Sequence, residues 1–233
     1  MTAFTLKIIG LTAMLIDHLA VAFPDTFPFW FRAIGRLAMP TFAYLLAEGF
    51  RRTKAREKFL IRLLAFAVIS EVPYDFVMGN AVNFAANTNI FYTLFLGGVA
   101  IRLYERLKER RDWQTMSVIA AILPTAILAE ILSAEFGGLG VLFIFVMYVI
   151  KPRAARLTAV GAFALSQFIP LAMAHSFGIA IRWEYLLMIP FALVTVLFVA
   201  LYNGERGRKT KWLFYAAYPA HLAVLAVAMM VIN

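Results

Sequence analysis

Residues 59–79 read FLIRLLAFAVISEVPYDFVMG. The stretch has the length of a bilayer-spanning helix, which needs about 20 mostly apolar residues. It nevertheless holds Arg62, Glu71 and Asp75. A charge near the bilayer centre costs about 2.5–3.5 kcal/mol on insertion scales, so such residues usually pair and usually mark a functional pathway. Glu71 and Asp75 are four apart and share one helix face. A lipid-length helix with two carboxylates on one face predicts both the solvent of this chain and the place of its chemistry.

The rest of the chain agrees. Of 233 residues, 63% are apolar and 15% are charged, and the mean hydropathy is +0.82. A soluble domain is nearer half apolar and a quarter charged. The composition excludes a soluble enzyme and a disordered tail. The absence of cysteine excludes a disulfide scaffold, a thioester acyl-enzyme, a Cys-ligated metal and a dithiol redox site. No metal is expected.

The predicted fold is an all-α polytopic membrane helix bundle, a single domain over 1–233. Nine spans are read at about 4–23, 29–49, 59–79, 88–104, 114–132, 138–150, 155–174, 184–202 and 212–231. The first is not a cleavable signal, because it carries Asp17 and His18 and no small-residue cleavage site follows. The connecting loops alternate in charge. One set holds Arg51, Arg52, Lys54, Arg56 and Lys58; Arg102, Arg106, Lys108, Arg110 and Arg111; Lys151, Arg153 and Arg156; and Arg206, Arg208, Lys209 and Lys211. The other set (24–28, 80–87, 133–137, 175–183) holds only Arg182 among basic residues. The positive-inside rule then puts the basic loops in the cytoplasm, the N-terminus inside and the C-terminus outside, which an odd span count satisfies. The net charge of +9 is read as topology and anionic-lipid contact, not as nucleic-acid binding. The expected location is the cytoplasmic membrane, crossed many times.

Depth follows from a rise of about 1.5 Å per helical residue. His18 lies roughly 8 Å below the outer end of its span, Arg36 roughly 10 Å, Glu71 roughly 12 Å and Asp75 roughly 6 Å. These residues form one polar layer in the outer half of the bilayer, with His221 deeper. Asp17 and His18 are adjacent, so they point to different sides of a helix. Two separate pairings are expected: Asp17 with Arg36 or Arg32, and His18 with Glu71 or Asp75. The first reads equally as a helix lock or as part of a site. The second is a base–orienter dyad of the kind that takes a proton from a nucleophile. His221 is a core hydrogen-bonding residue or a member of the site. His175, in an outer loop, is expected to be solvated. Glu48 is placed to pair with Arg51 or Arg52 across one turn. Gly97, Gly98, Gly137, Gly138 and Gly140 suit close helix packing and form no phosphate-binding fingerprint.

Four segments together resemble the TraX family: LKIIGLTAMLIDHLA at 6–20, RAIGRLAMPTFAYLLAEGF at 32–50, FLIRLLAFAVISEVPYDF at 59–76 and WLFYAAYPAHLAVL at 212–225. The resemblance runs in order over essentially the whole chain and is loose in the middle. The positions that match the pattern are Asp17, His18, Arg36, Pro40, Glu48, Arg62, Glu71, Pro73, Asp75, Tyr218, Pro219 and His221. The resemblance implies a membrane acetylase of the kind found in conjugative pilus systems, using cytoplasmic acetyl-CoA and acylating an acceptor at the opposite face. The family's F-type acceptor is the pilin N-terminal amine.

On that implication the expected chemistry is acetyl transfer to an amine or hydroxyl of a peptide, sugar or lipid arriving from the outer side. His18, Asp17, Glu71, Asp75, Arg36 and His221 are the expected catalytic residues, with His18 as base and Glu71 or Asp75 holding the imidazole. Arg36 or an asparagine of 83–89 would steady the oxyanion. Arg51, Arg52, Arg62 or Lys211 would contact the phosphates of acetyl-CoA. Direct transfer is preferred, and a His-acyl intermediate is the other route. Two other classes fit the same residues: a proton-coupled transporter, and a non-catalytic assembly factor for pilin or another membrane protein.

Overall fold

Thr2 starts the first helix, its hydroxyl accepting the Thr5 N–H at 3.3 Å, and α1 then runs over Ala3–Ala22. The computed structural model describes residues 1–79, 82, 84, 87–108, 114–169, 186, 188–208 and 210–232. Sequence-predicted features at Asn80, Asn83, Arg110, Arg111, His175, Arg182 and Lys209 lie outside the described residues, as does the side chain of Lys211.

The single span expected over 29–49 is two helices, α2 (Trp30–Gly35) and α3 (Ala38–Arg52). The break falls at Arg36 and Leu37, whose N–H groups bond three residues back to Ala33 and Ile34 at 3.2 and 3.1 Å. Such tightened turns commonly end a helix. Helix α4 covers Arg56–Met78 with Pro73 inside it, and Gly79 stops it in the left-handed region at φ 71. That conformation costs glycine nothing. Helix α5 (Ile90–Leu107) begins at Asn89, whose Oδ1 accepts the Phe91 N–H at 3.0 Å. Helix α6 is Gln114–Ile131 and α7 is Gly137–Val149. Between them Ser133, Phe136 and Gly137 all have positive φ, so the chain reverses sharply. Glu130 closes this turn: its Oε1 accepts the Gly138 N–H at 2.7 Å, a carboxylate at the positive end of a helix. Helices α8 (Arg153–Ser166), α9 (Met188–Ala200) and α10 (Lys211–Ile232) complete the chain. No strand occurs among the described residues, and the protein is all-α.

Hydroxyls sit close to the helix prolines. Thr41, next to Pro40, donates to Leu37 O at 2.7 Å. Ser70, three before Pro73, donates to Phe66 O at 2.6 Å. Thr125, after Pro124, donates to Ala121 O and Ile122 O, both at 2.9 Å. Each back-bond satisfies a buried hydroxyl inside an apolar helix.

The chain forms two compact units. Unit 1 comprises Met1–Phe42, Lys151–Ala217 and Val224–Asn233; unit 2 comprises Ala43–Ile150 and Tyr218–Ala223. In unit 1, α2 packs on α1 and α9, and α9 on α8. In unit 2, α5 is central, against α4, α6 and α7. Its glycines explain that position. A Cβ on Gly97 would lie 2.6 Å from Ile144 of α7, and one on Gly98 2.7 Å from Leu60 of α4. Only bare backbone permits either approach.

Polarity is inverted relative to a soluble protein. On α4, Ile61, Val68, Ile69, Val72 and Phe76 are exposed, while Ser70, Glu71 and Asp75 are buried. Helix α6 exposes Met116, Ile119, Leu123 and Ile127. Helix α10 exposes Val224, Val227 and Val231. Among the described residues, two helices, Ala3–Ala22 and Trp212–Ile232, are long and apolar enough to cross a membrane, and Thr115–Ile131, Gly137–Val149 and Met188–Ala200 are apolar but shorter.

Candidate functional site

Each unit holds its own share of the predicted polar layer. In unit 1 it is built on α1 and α2. Asp17 is 8% and His18 3% exposed. Asp17 meets both expected partners: Arg32 Nη1 lies 3.0 Å from Oδ2 and Arg36 Nη2 3.7 Å from Oδ1. The arginines are four apart, so one helix turn delivers both to one carboxylate. Arg36 Nε also donates to Arg32 O at 3.3 Å. Gly35 makes room: a Cβ there would fall 2.4–2.5 Å from the Asp17 side chain. The motif RAIGR is thus a clamp around a carboxylate, with its glycine at the point of contact.

In unit 2 the site is built on α4, the start of α5 and the middle of α10. Glu71 and Asp75, one turn apart, are both fully buried. Glu71 Oε2 accepts the backbone N–H of Asn89 at 3.2 Å and also its side-chain Nδ2–H. Its other oxygen, Oε1, is buried and accepts no hydrogen bond among the described residues. No cation pairs with Glu71 there either. Tyr92 and Tyr218 lie within electrostatic reach of Glu71, and Tyr218 also of Glu135 and Tyr74. The Tyr218 ring packs edge-on against Phe91 at 5.2 Å and against His221 at 5.4 Å. The sequence-predicted Glu71, Asp75 and His221 therefore belong to one unit, with Tyr218 beside His221.

Asn89, one of the 83–89 asparagines expected to steady an oxyanion, has a role that the sequence reading did not assign: it caps a helix. Its position directly before an apolar helical run is the ordinary sign of an N-cap. Its Nδ2 donates to Ala67 O at 2.8 Å as well as to Glu71, and its Oδ1 caps α5. Every polar atom of its side chain is thus engaged inside unit 2.

The other end of unit 2 is basic. Glu48 pairs with Arg51 at 2.5 Å and with Arg52 at 3.3 Å. Arg51 Nη2 also donates to the carbonyls of Met147, Tyr148 and Ile150 at 2.7, 2.7 and 3.0 Å. It thereby satisfies the unpaired carbonyls at the end of α7. Its guanidinium is spent inside the protein, which leaves the expected phosphate contact to its neighbours; Arg52 is half-exposed. Arg62 stacks over Phe59 at 5.8 Å. Buried Glu105 accepts from Tyr148 OH and pairs with Arg56 at 2.8 Å. Exposed Glu57 pairs with Arg102 at 2.8 Å and Arg106 at 3.0 Å. The Arg102 hydrogen bond, helped by the charge of both arginines, holds the Glu57 carboxyl below the usual range. No cluster of metal-ligating side chains occurs among the described residues.

The chain is 27% identical over 241 residues to the probable fimbrial assembly protein FimC, serogroup H1, of Dichelobacter nodosus, covering 98% of this chain and 96% of that protein. No solved structure matches. The profile of the TraX protein family matches residues 3–229, a range that takes in the Asp17 clamp, the buried carboxylates and the Tyr218–His221 pair, and the chain belongs to the TraX family.

Proposed function

We propose that this chain is a polytopic acyltransferase of the bacterial inner membrane, with nine spans, its N-terminus in the cytoplasm and its C-terminus outside. It moves an acetyl group from cytoplasmic acetyl-CoA to an amine or hydroxyl of an acceptor at or near the outer face. The acceptor nitrogen or oxygen attacks the thioester carbonyl carbon. A base removes the acceptor proton, the C–S bond breaks, and coenzyme A leaves as a thiol once it has taken up a proton. His18 and Arg36 of unit 1 supply the base and a cation for the developing oxyanion. Glu71, Asp75 and His221 of unit 2 accept and pass on protons. Arg52, Arg62 and Lys211 receive the phosphates of the donor.

The observation that carries this reading is the state of Glu71. A carboxylate with no countercharge among the described residues, on a helix whose outer face is apolar, is costly to maintain. The Asn89 donors offset part of that cost and leave Oε1 with a lone pair for a substrate proton. The inverted polarity of α4, α6 and α10 supports the membrane placement, and the basic end of unit 2 supports its orientation.

The fimbrial assembly relative favours one other reading, in which the chain assists assembly of a small membrane subunit without chemistry. It also makes a pilin-like peptide the first acceptor to test. The experiment is intact-mass analysis of candidate peptides, amino sugars and lipids after incubation with purified protein and acetyl-CoA. Gain of one acetyl group, lost in His18→Ala, is the expected result. A stable complex with an acceptor whose mass never changes would establish the assembly reading instead.

A further inference from the structure

At the basic end of unit 2, two arginines close on one oxygen. Arg102 Nε and Arg106 Nη2 lie 2.8 and 3.0 Å from Glu57 Oε1. They are four residues apart on α5, so they project from the same face of one helix turn. Arg102 is held from behind by Glu105 Oε2 at 3.9 Å, and Glu105 is fixed by Arg56 and Tyr148. Arg106 and Glu57 are open to solvent, 60% and 55% exposed. The result is a fork of two fixed-charge cations gripping a single anionic oxygen at a solvent-facing position.

The charge at this end does not balance. The described side chains include Arg51, Arg52, Lys54, Arg56, Lys58, Arg102, Arg106 and Lys108, against Glu48, Glu57 and Glu105. Glu48 and Glu105 are committed to buried partners. Glu57 is not: it belongs to the first turn of α4, and it stands open to solvent. An exposed ion pair of this type is worth little, about 0–1 kcal/mol. A phosphate, with more charge and three acceptor oxygens, engages two guanidiniums more strongly than one carboxylate oxygen does.

We propose that Arg102 and Arg106 form a phosphate-binding fork, and that Glu57 occupies it as a built-in stand-in until a phosphate group displaces it. The stand-in keeps two convergent cations from repelling each other when no ligand is present, and it raises the threshold for weak anions. The phosphate comes from a soluble nucleotide such as the donor's, or from an anionic lipid headgroup. The nucleotide arm rests on the acetyl-CoA reading above; the lipid arm does not.

The test uses full-length protein in nanodiscs of phosphatidylcholine, titrated with coenzyme A and with adenosine 3′,5′-bisphosphate in a calorimeter. A parallel preparation contains phosphatidylglycerol, and lipid retained by the protein is counted by native mass spectrometry. Arg102→Gln and Arg106→Gln are each expected to weaken one of these ligands by about tenfold. Glu57→Gln is expected to tighten the same ligand by several-fold, and to lose that effect when both arginines are replaced. The double replacement separates the fork from a general gain of positive charge, which would tighten anions with or without the arginines. A change in nucleotide affinity identifies the soluble source, and a change in retained phosphatidylglycerol identifies the lipid. Nucleotide affinity and lipid retention both unchanged in the exposed Arg106→Gln variant would overturn the fork. Phosphate binding that depends on the fork, with no acetyl transfer to any acceptor, would instead remove the acyltransferase reading and leave the fork in place.

Discussion

Asp17 and Glu71 are both acidic, both on apolar helices and both buried, yet they are held in opposite ways. Asp17 is flanked by two guanidiniums, with Gly35 shaped to let them in. Glu71 has the neutral donors of Asn89 and no paired cation among the described residues, and one oxygen of each carboxylate accepts no hydrogen bond there. Two fixed cations thus match the negative charge of Asp17, whereas the donors to Glu71 are neutral. On the proposed acyl-transfer reading, this contrast gives Asp17 chiefly to architecture and Glu71 chiefly to chemistry, although both lie in segments that match the same family.

The strongest way to break this comparison is Glu71→Gln. The amide keeps the shape and can still accept from Asn89, so stability should change by less than about 1 kcal/mol. Acetyl transfer should fall by about 10²–10⁴-fold, the usual weight of a group that handles a proton. Retained transfer would place the chemistry elsewhere. Next in size is Asp17→Asn, which leaves two part-buried arginines without an anion. The loss should be about 2 kcal/mol, below the range for fully buried pairs because both guanidiniums reach some solvent. Urea unfolding in detergent measures it, and transfer by the protein that remains folded should stay within about tenfold of wild type. If transfer vanishes while stability holds, the two carboxylates have been assigned the wrong way round. The smallest and sharpest probe is Asn89→Ala. Loss of the α5 cap should cost about 1 kcal/mol, and loss of two donors to Glu71 should slow transfer by about tenfold. An Asn89→Ser variant, able to cap but not to reach both partners, should restore the stability and not the rate.

Much of the fold was legible because apolar runs of bilayer length are a strong signal. The run predicted over 59–79 is α4 at Arg56–Met78, and the run over 212–231 is α10 at Lys211–Ile232. The break between α2 and α3 was not legible, because hydropathy does not register that Arg32 and Arg36 must both turn toward Asp17. The Asp17 pairing itself was readable from sequence, since unmatched charges in lipid look for partners nearby. The roles of Asn89 as cap of α5 and donor to Glu71 were not legible, because its partners on α4 are set by packing and not by local sequence. The Glu48–Arg51 pair was readable from its spacing, but the other partners of Arg51 were not. Its partners on α7 lie nearly a hundred residues away, and nothing local distinguishes a capping arginine from a ligand-binding one.

The division into interleaved units has a consequence for biogenesis. Most of unit 2 is one continuous stretch, Ala43–Ile150, whereas unit 1 joins the two ends of the chain. Ala3 and Phe4 take their backbone partners from Glu205 and Arg206, so they must wait until nearly the whole chain has been made. Such long-range closure is slow. On the proposed membrane placement, the most costly charges of α1 and α2 would stand in lipid during that wait. Asp17 and Arg32 are only fifteen residues apart, so a hairpin of α1 and α2 would neutralise them before the rest of the chain is made. On that placement, the clamp that looks like a static lock in the finished protein would equally be an entry permit for the first helices.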